Sequence, residues 1–345
     1  MAIQKFVVSR DANIYHAWPD LLKTKSGKLL CVFTECEHHN HRADSRVVMV
    51  ESCDRGRTWS EKRAISEPST VEYHFNNSRL SYLSDGRIAL ICDRVESEED
   101  GGVEQYVWFS ADEGESWSEP TVLPFCAIVP DRFRELKSGR YIVVAHYLNK
   151  QTGKTEEYLW YSDDKGKTWS DRVTVAADPR YNLCEAGIIE CEDGTLVAFL
   201  RENSFEAYDV FKAISRDGGE SWEGVYRTPM NGGHRPTPGY LNDGRVMVTY
   251  RYVTTYTPNP GSVSLGLHNT FLTILKREEL TRTEREGTFY RTMPLDYDRN
   301  EKPDTGYTGW VQFEDGEIYI VNYIKDDADK AQIRGYSLYP SDIIL

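Results

Sequence analysis

SCDRGRTW (52–59), SADEGESW (110–117), SDDKGKTW (162–169) and SRDGGESW (215–222) are four copies of one pattern, S-x-D-x-G-x-[ST]-W. Their first residues stand 58, 52 and 53 positions apart. A unit repeated at such a spacing is one supersecondary element that cannot bury its apolar face alone, so copies must pack side by side. The period fits a propeller blade of four antiparallel strands. Between the boxes runs a second repeat of short apolar segments, each following a turn: SGKLLCVF, DGRIALIC, SGRYIVVA, DGTLVAFL, DGRVMVTY and DGEIYIVN. Their turn glycines are Gly27, Gly86, Gly139, Gly194, Gly244 and Gly316. Glycine readily takes the positive φ that a tight hairpin requires. Six hairpins predict six blades, hence an all-β, six-bladed propeller of four-stranded antiparallel blades.

No Pro/Gly/Ser linker or low-complexity stretch divides the chain, so 1–345 reads as a single propeller domain. Blades five and six lack the box, and 252–305 reads as irregular with a long insertion. Gln4–Ser9 is expected to pair with the last blade, because a propeller must seal its ring to avoid open strand edges. Of the 345 residues, 39% are hydrophobic, enough for a core of this kind. The net charge of -14 argues against nucleic acid and against anionic membrane surfaces, both of which select basic faces. It leaves room for a small anionic ligand, since a local arginine cluster can oppose the global sign. The seven cysteines are odd in number and show no CxxC spacing, which reads as reduced thiols. The start MAIQKFVVSRDANIY has no apolar signal core, and no run approaches a membrane-spanning length. A cytoplasmic protein is therefore expected.

Inner strands of all blades face one axis, so equivalent positions form rings around it. Counting nine residues back from each turn glycine gives Trp18, Asn77, Pro130, Glu185, Arg235 and Tyr307. Beside them lie His16, Arg79, Asp131, Arg132 and His234. Counting seven forward gives Thr34, Asp93, His146, Arg201, Arg251 and Tyr323. Such polar rings next to apolar strands point to an active site on the axis.

The four boxes resemble the Asp-box of sialidases, a mark of fold that by itself assigns no chemistry. The segment LCEAGIIECEDGTLVAFLREN resembles the sialidase pattern N-E-…-D-G-x-L-…-R, and TGYTGWVQFEDGEIYIVNY resembles the stretch that carries the sialidase tyrosine. The resemblance implies an exo-glycoside hydrolase acting on a terminal acidic sugar. Tyr307 is then the nucleophile, Glu185 its base, and Arg201 one of three arginines on the substrate carboxylate. It also implies an acid/base aspartate on the loop TECEHHNHRADSRVVMVES. Asp44 matches best there, with Glu35 and Glu37 as rivals. Where sialidases begin with R-I-P, this chain has YHAWPDLL: Trp18-Pro19 fills the I-P slot and Ala17 the arginine slot, with His16 adjacent. Arg251, Arg235, Arg79 and Arg94 are candidates for the remaining cations, with His16, Trp18 and Asp131 lining the substrate.

The run HHNH (38–41) lacks helical metal-ligand spacing and reads as a solvated or substrate-lining loop. No metal and no cofactor is expected. The partner is a small glycan or glycoside, with neither nucleic acid nor membrane. Two further readings stay open. One is a polysaccharide lyase or atypical glycosidase on uronic-acid- or rhamnose-containing glycans, using Tyr307 with His16, His146 or His234. The other is a non-catalytic carbohydrate-binding propeller.

Overall fold

The computed structural model describes residues 3–40, 44–70, 72–96, 102–253 and 267–343. Six four-stranded antiparallel sheets form the blades. Blade one holds β2 (Tyr15–Lys23), β3 (Leu29–Cys36), β4 (Arg46–Ser52) and β5 (Arg63–Ala64). Blade two runs from β6 (Tyr73–Tyr82) through β7 (Ile88–Glu96) and β8 (Val103–Ser110) to β9 (Thr121–Val122). Blade three comprises β10 (Arg134–Glu135), β11 (Tyr141–Asn149), β12 (Lys154–Ser162) and β13 (Val173–Ala176). Blade four comprises β14 (Leu183–Glu190), β15 (Leu196–Glu202), β16 (Asp209–Ser215) and β17 (Glu223–Asn231). In blade five these are β18 (Gly233–Tyr240), β19 (Val246–Val253), β20 (His268–Leu275) and β21 (Tyr290–Tyr297). Blade six joins β22 (Thr305–Gln312), β23 (Ile318–Ile324) and β24 (Gln332–Leu338) to β1 (Gln4–Ser9), which pairs with β24 and closes the ring as expected.

The stretch 252–305 is more regular than its sequence suggests. β20 and β21 complete blade five, with β20 reading as a buried strand from His268 to Leu275. Residues 254–266 of that stretch lie outside the described residues, so the long insertion expected in 252–305 is described only in part.

Each box folds in the same way. In the first, the Asp54 carboxylate accepts Thr58 N–H at 2.9 Å and Thr58 Oγ1–H at 2.6 Å, while Ser52 Oγ takes Gly56 N–H at 2.8 Å. The same contacts recur around Asp112, Asp164 and Asp217. The boxes thus satisfy the backbone of an outer hairpin, an Asx-turn role.

The inner strands β2, β6, β14, β18 and β22 all break register at the ring position found by counting back from the turn glycine. The slips lie between Ala17 and Asp20, Phe75 and Ser78, Cys184 and Gly187, His234 and Thr237, and Gly306 and Gly309. Four residues in them hold left-handed backbone: Trp18 (φ 54°), Glu185 (φ 52°), Arg235 (φ 51°) and Tyr307 (φ 53°). A bulge inserts one unpaired residue and re-aims a side chain, and a non-glycine left-handed residue stores strain of about 1–3 kcal/mol. The second ring sits directly beside the first: Thr34, Arg201, Arg251 and Tyr323 pair with Ala17, Cys184, His234 and Gly306.

Candidate active site

Glu185 from blade four and Tyr307 from blade six meet across blade five. Tyr307 Oη donates to Glu185 Oε1 at 2.5 Å. Arg201 Nη1 donates to the same oxygen at 2.7 Å, and its Nη2 to Asn203 Oδ1 at 2.5 Å. Between the two blades, the Arg251 guanidinium lies 5.3 Å from the Tyr307 ring centre. Gly306 permits this approach, because a Cβ there would stand 2.6 Å from Arg251 Cβ. Arg251 donates to His234 Nδ1 at 3.2 Å and to Tyr323 Oη at 3.5 Å. His146 Nδ1 accepts the Glu185 main-chain N–H at 3.3 Å, which helps hold that residue's strained backbone.

The charges reinforce one another. Burial would raise the Glu185 carboxyl, but Arg201 and Arg251, then His146 and the Tyr307 hydroxyl, outweigh it and bring it down to about 2. Tyr307 moves the other way: burial and the Glu185 anion push its phenol up, against the pull of the two arginines. Burial presses His146 down to about 4 and His268 to about 3, and His234 well below its ordinary value. At neutral pH the pocket therefore holds a protonated phenol, an ionised carboxylate, two guanidinium groups and three uncharged imidazoles.

A second cluster abuts the first. Asp304, just ahead of β22, accepts from Tyr323 Oη at 2.8 Å, from Tyr15 Oη, and from His39 Nδ1 at 2.6 Å. The His39 ring stands edge-on to Trp18 at 5.3 Å, and Trp18 in turn faces Tyr323 at 6.3 Å. Sequence reasoning missed Asp304. Its only sequence signal is a position three residues before Tyr307, at the entry of the same strand.

Several expected substrate contacts are not brought to this site. His16 is fully buried, packs on Phe33 at 5.1 Å and approaches Lys62 Nζ at 3.2 Å; burial takes it down to about 4. Asp131 accepts Arg134 Nε–H at 2.9 Å and Ile188 N–H at 3.2 Å, tying blade three to blade four. Arg94 pairs with Glu104 and lies over Tyr73 at 4.3 Å. Arg79, 2% exposed, donates to Thr308 O at 3.0 Å and to Pro19 O at 3.3 Å. Arg235, 1% exposed, donates to Ala186 O at 3.0 Å and Pro130 O at 2.7 Å. The bonds from Arg79 to Thr308 and from Arg235 to Pro130 join blades that are not neighbours, two to six and five to three, so they cross near the axis. With the Arg132–Asp20 pair at 2.7 Å they form a buried layer of cross-links. Polar ring positions thus serve two ends, and a sequence cannot tell a brace from a ligand. Arg235→Met is expected to destabilise the fold by about 2–4 kcal/mol, because two buried carbonyls lose their partners. Denaturant unfolding measures this; a change under about 0.5 kcal/mol would contradict the bracing role.

The acid implied by the resemblance is expected between the end of β3 and the start of β4, where Glu35 stands within β3 and Glu37 and Asp44 follow it. Glu35 is buried, and its carboxyl is lowered because Lys62 at 2.6 Å and Arg46 outweigh the effect of burial. It is thus ionised and a poor proton donor at neutral pH. Asp44 is exposed, with φ 60°, and among the described residues no hydrogen bond joins it to Tyr307, Glu185 or Asp304. Glu37 is exposed, and its carbonyl accepts from Lys330. His41 lies outside the described residues. Among the described residues no group of three or more His, Cys, Asp or Glu is placed to hold a metal. None of the seven cysteines is in a disulfide.

A family model described as a BNR repeat-like domain matches residues 66–320. An anhydrosialidase from Macrobdella decora is 31% identical over 139 residues, covering 36% of this chain and 16% of that protein. A sialidase from Paraclostridium sordellii is 27% identical over 183 residues, covering 43% of this chain and 45% of that protein. The chain thus spans less than half the length of these curated relatives. Among solved structures, a protein of unknown function from Dyadobacter fermentans DSM 18053 superposes with a TM-score of 0.82 at 24% identity, over 98% of this chain and 99% of that one. At that identity the likeness concerns the fold alone.

Proposed function

The chain belongs to the BNR repeat-like domain family, and from that premise we propose that it is a sialidase-type exo-glycosidase that removes a terminal acidic sugar through a tyrosine nucleophile. The hydrogen bond of 2.5 Å between Tyr307 Oη and Glu185 Oε1 carries this reading. Tyr307 Oη attacks the anomeric carbon while its proton passes to Glu185. The glycosidic C–O bond breaks, and the departing oxygen takes a proton from an acid on the loop between β3 and β4. Water then displaces the tyrosine, which recovers its proton from Glu185. Two displacements leave the anomeric configuration retained. A neutral phenol suits a reacting carbon that bears a carboxylate, because an anionic nucleophile would be repelled; sialidases are the tyrosine exception among glycosidases.

Arg201 and Arg251 supply the cations for the substrate carboxylate, which guanidinium can grip through two parallel hydrogen bonds. Binding and chemistry are then coupled. In the free site both arginines hold Glu185 ionised and weakly basic. A substrate carboxylate that pairs with them offsets that pull and raises the basicity of Glu185 as the phenol comes into line. Ala17 stands where the family would offer a third arginine, which favours a related nonulosonic acid or a looser grip on sialic acid.

A panel of fluorogenic glycosides of nonulosonic acids, uronic acids and neutral sugars tests the proposal, with NMR of the first-formed product. Release of an acidic sugar with retained configuration is expected. Release of neutral sugars alone, or inversion, would overturn it. The three uncharged histidines favour a second reading, a lyase that abstracts a proton next to a uronate. An unsaturated product absorbing in the near ultraviolet would mark that outcome.

A further inference from the structure

The loop between β3 and β4 brings a histidine, rather than one of its carboxylates, into the polar network of the site. His39 Nδ1 lies 2.6 Å from Asp304 Oδ2, and its side chain keeps 29% exposure while that of Asp304 keeps 12%. Asp304 is continuous with the Tyr307 site. Its Oδ1 takes the Tyr323 hydroxyl at 2.8 Å, Tyr323 accepts from Arg251 at 3.5 Å, and Arg251 lies over the Tyr307 ring. Burial would raise the Asp304 carboxyl. His39, Tyr15 and Arg251 outweigh it and hold the group far below the usual carboxylate range. An ionised Asp304 can only accept, so His39 Nδ1 must donate to it, which fixes the tautomer and assigns proton exchange to Nε2. A carboxylate that orients an imidazole for proton transfer is a recurring catalytic arrangement.

We infer that His39, oriented by Asp304, is the acid/base that protonates the departing glycosidic oxygen, in the place that the resemblance gives to a loop aspartate. The inference rests on the glycosidase reading above. In the first step the His39 imidazolium gives its Nε2 proton to the leaving oxygen as the glycosidic bond breaks and the Tyr307 C–O bond forms. In the second, neutral Nε2 takes a proton from the attacking water as that bond breaks again. The proton count closes over the cycle, and Asp304 stays ionised throughout. His39 is the catalytic group and Asp304 a positioning residue. Of the carboxylates the resemblance offers, Glu35 on β3 is held by two cations, and Glu37 and Asp44 are exposed.

The test compares two ketosides of N-acetylneuraminic acid, one with 4-methylumbelliferone as a good leaving group and one with lactose as a poor one. Loss of a general acid costs about 10²–10⁴-fold where the leaving oxygen needs a proton. His39→Ala and His39→Gln are expected to lose at least about 100-fold in kcat/KM on the lactosyl substrate and under about tenfold on the umbelliferyl one. Azide should raise the umbelliferyl kcat of these variants and yield a glycosyl azide, because it needs no base to attack. Asp304→Asn should show the same split, a signature that mere loss of folding would not produce. Equal losses on both substrates, or the split in Asp44→Asn and not in His39→Ala, would overturn the assignment. Tyr307→Phe run alongside separates the two claims. If it stays active while the His39 split holds, the tyrosine reading falls and the acid stands. If it is dead and the split is absent, the reverse holds. No turnover by the wild type of these ketosides or of any nonulosonic acid glycoside in the panel above would remove both.

Discussion

Tyr307→Phe is expected to lose at least about 10³-fold in kcat on whichever acidic glycoside the wild type turns over, while its fold and substrate affinity change little. On the proposed mechanism, removing the nucleophile of a double displacement removes the covalent path entirely and leaves only what binding and electrostatics supply. The change deletes one oxygen from a side chain that is 7% exposed, and the ring keeps its place beneath Arg251 and beside Tyr323. Among the described residues the bond lost is the one to Glu185, which retains Arg201. A melting temperature within a few degrees of wild type, together with the lost turnover, is the expected pair of results. Wild-type kcat in this variant would remove tyrosine from the mechanism.

Glu185→Gln is the second large effect, an expected loss of about 10²–10⁴-fold in kcat. The amide cannot take the phenol proton. It also leaves Arg201 and Arg251 facing each other in a buried pocket without the anion between them. The double variant with Tyr307→Phe should be no worse than the poorer single variant, since residues that act as a unit are far from additive. Stability carries an independent sign. The Glu185 carboxyl is depressed to about 2, below its unfolded value of about 4.3, so it stabilises the fold at neutral pH. That contribution is lost as pH falls through the interval between those values. Unfolding curves of wild type and Glu185→Gln should therefore converge as pH drops toward 2. Additive kinetic losses in the double variant would instead separate the two roles.

Much of this architecture is legible without coordinates because it is set at short range. A turn glycine fixes each hairpin, the hairpin fixes register, and register carries the ruler back to the bulge. That is why counting nine residues from Gly194 and Gly316 lands on Glu185 and Tyr307, whose left-handed backbone aims both into one pocket. The same ruler returns Arg235 and, two residues beyond its mark, Arg79. Whether a buried guanidinium meets a carbonyl or a ligand depends on blades that are distant in sequence. The Asp304 cluster has the same origin. Tyr15, His39, Asp304 and Tyr323 come from the two blades that flank the closing seam, at opposite ends of the chain. No local pattern joins them. Trp18 is a middle case: its ring position was readable, but its packing against His39 was not.

The most direct test of the central claim is covalent trapping. A fluorine next to the anomeric carbon slows both displacements by destabilising the oxocarbenium-like transition state, and a good leaving group restores the first. Wild type treated with 3-fluoro-N-acetylneuraminyl fluoride should gain the mass of one glycosyl group, located by peptide mass spectrometry on Tyr307. Turnover of sialosides with no added mass on Tyr307, or with the sugar on Glu185 or another residue, would contradict the account.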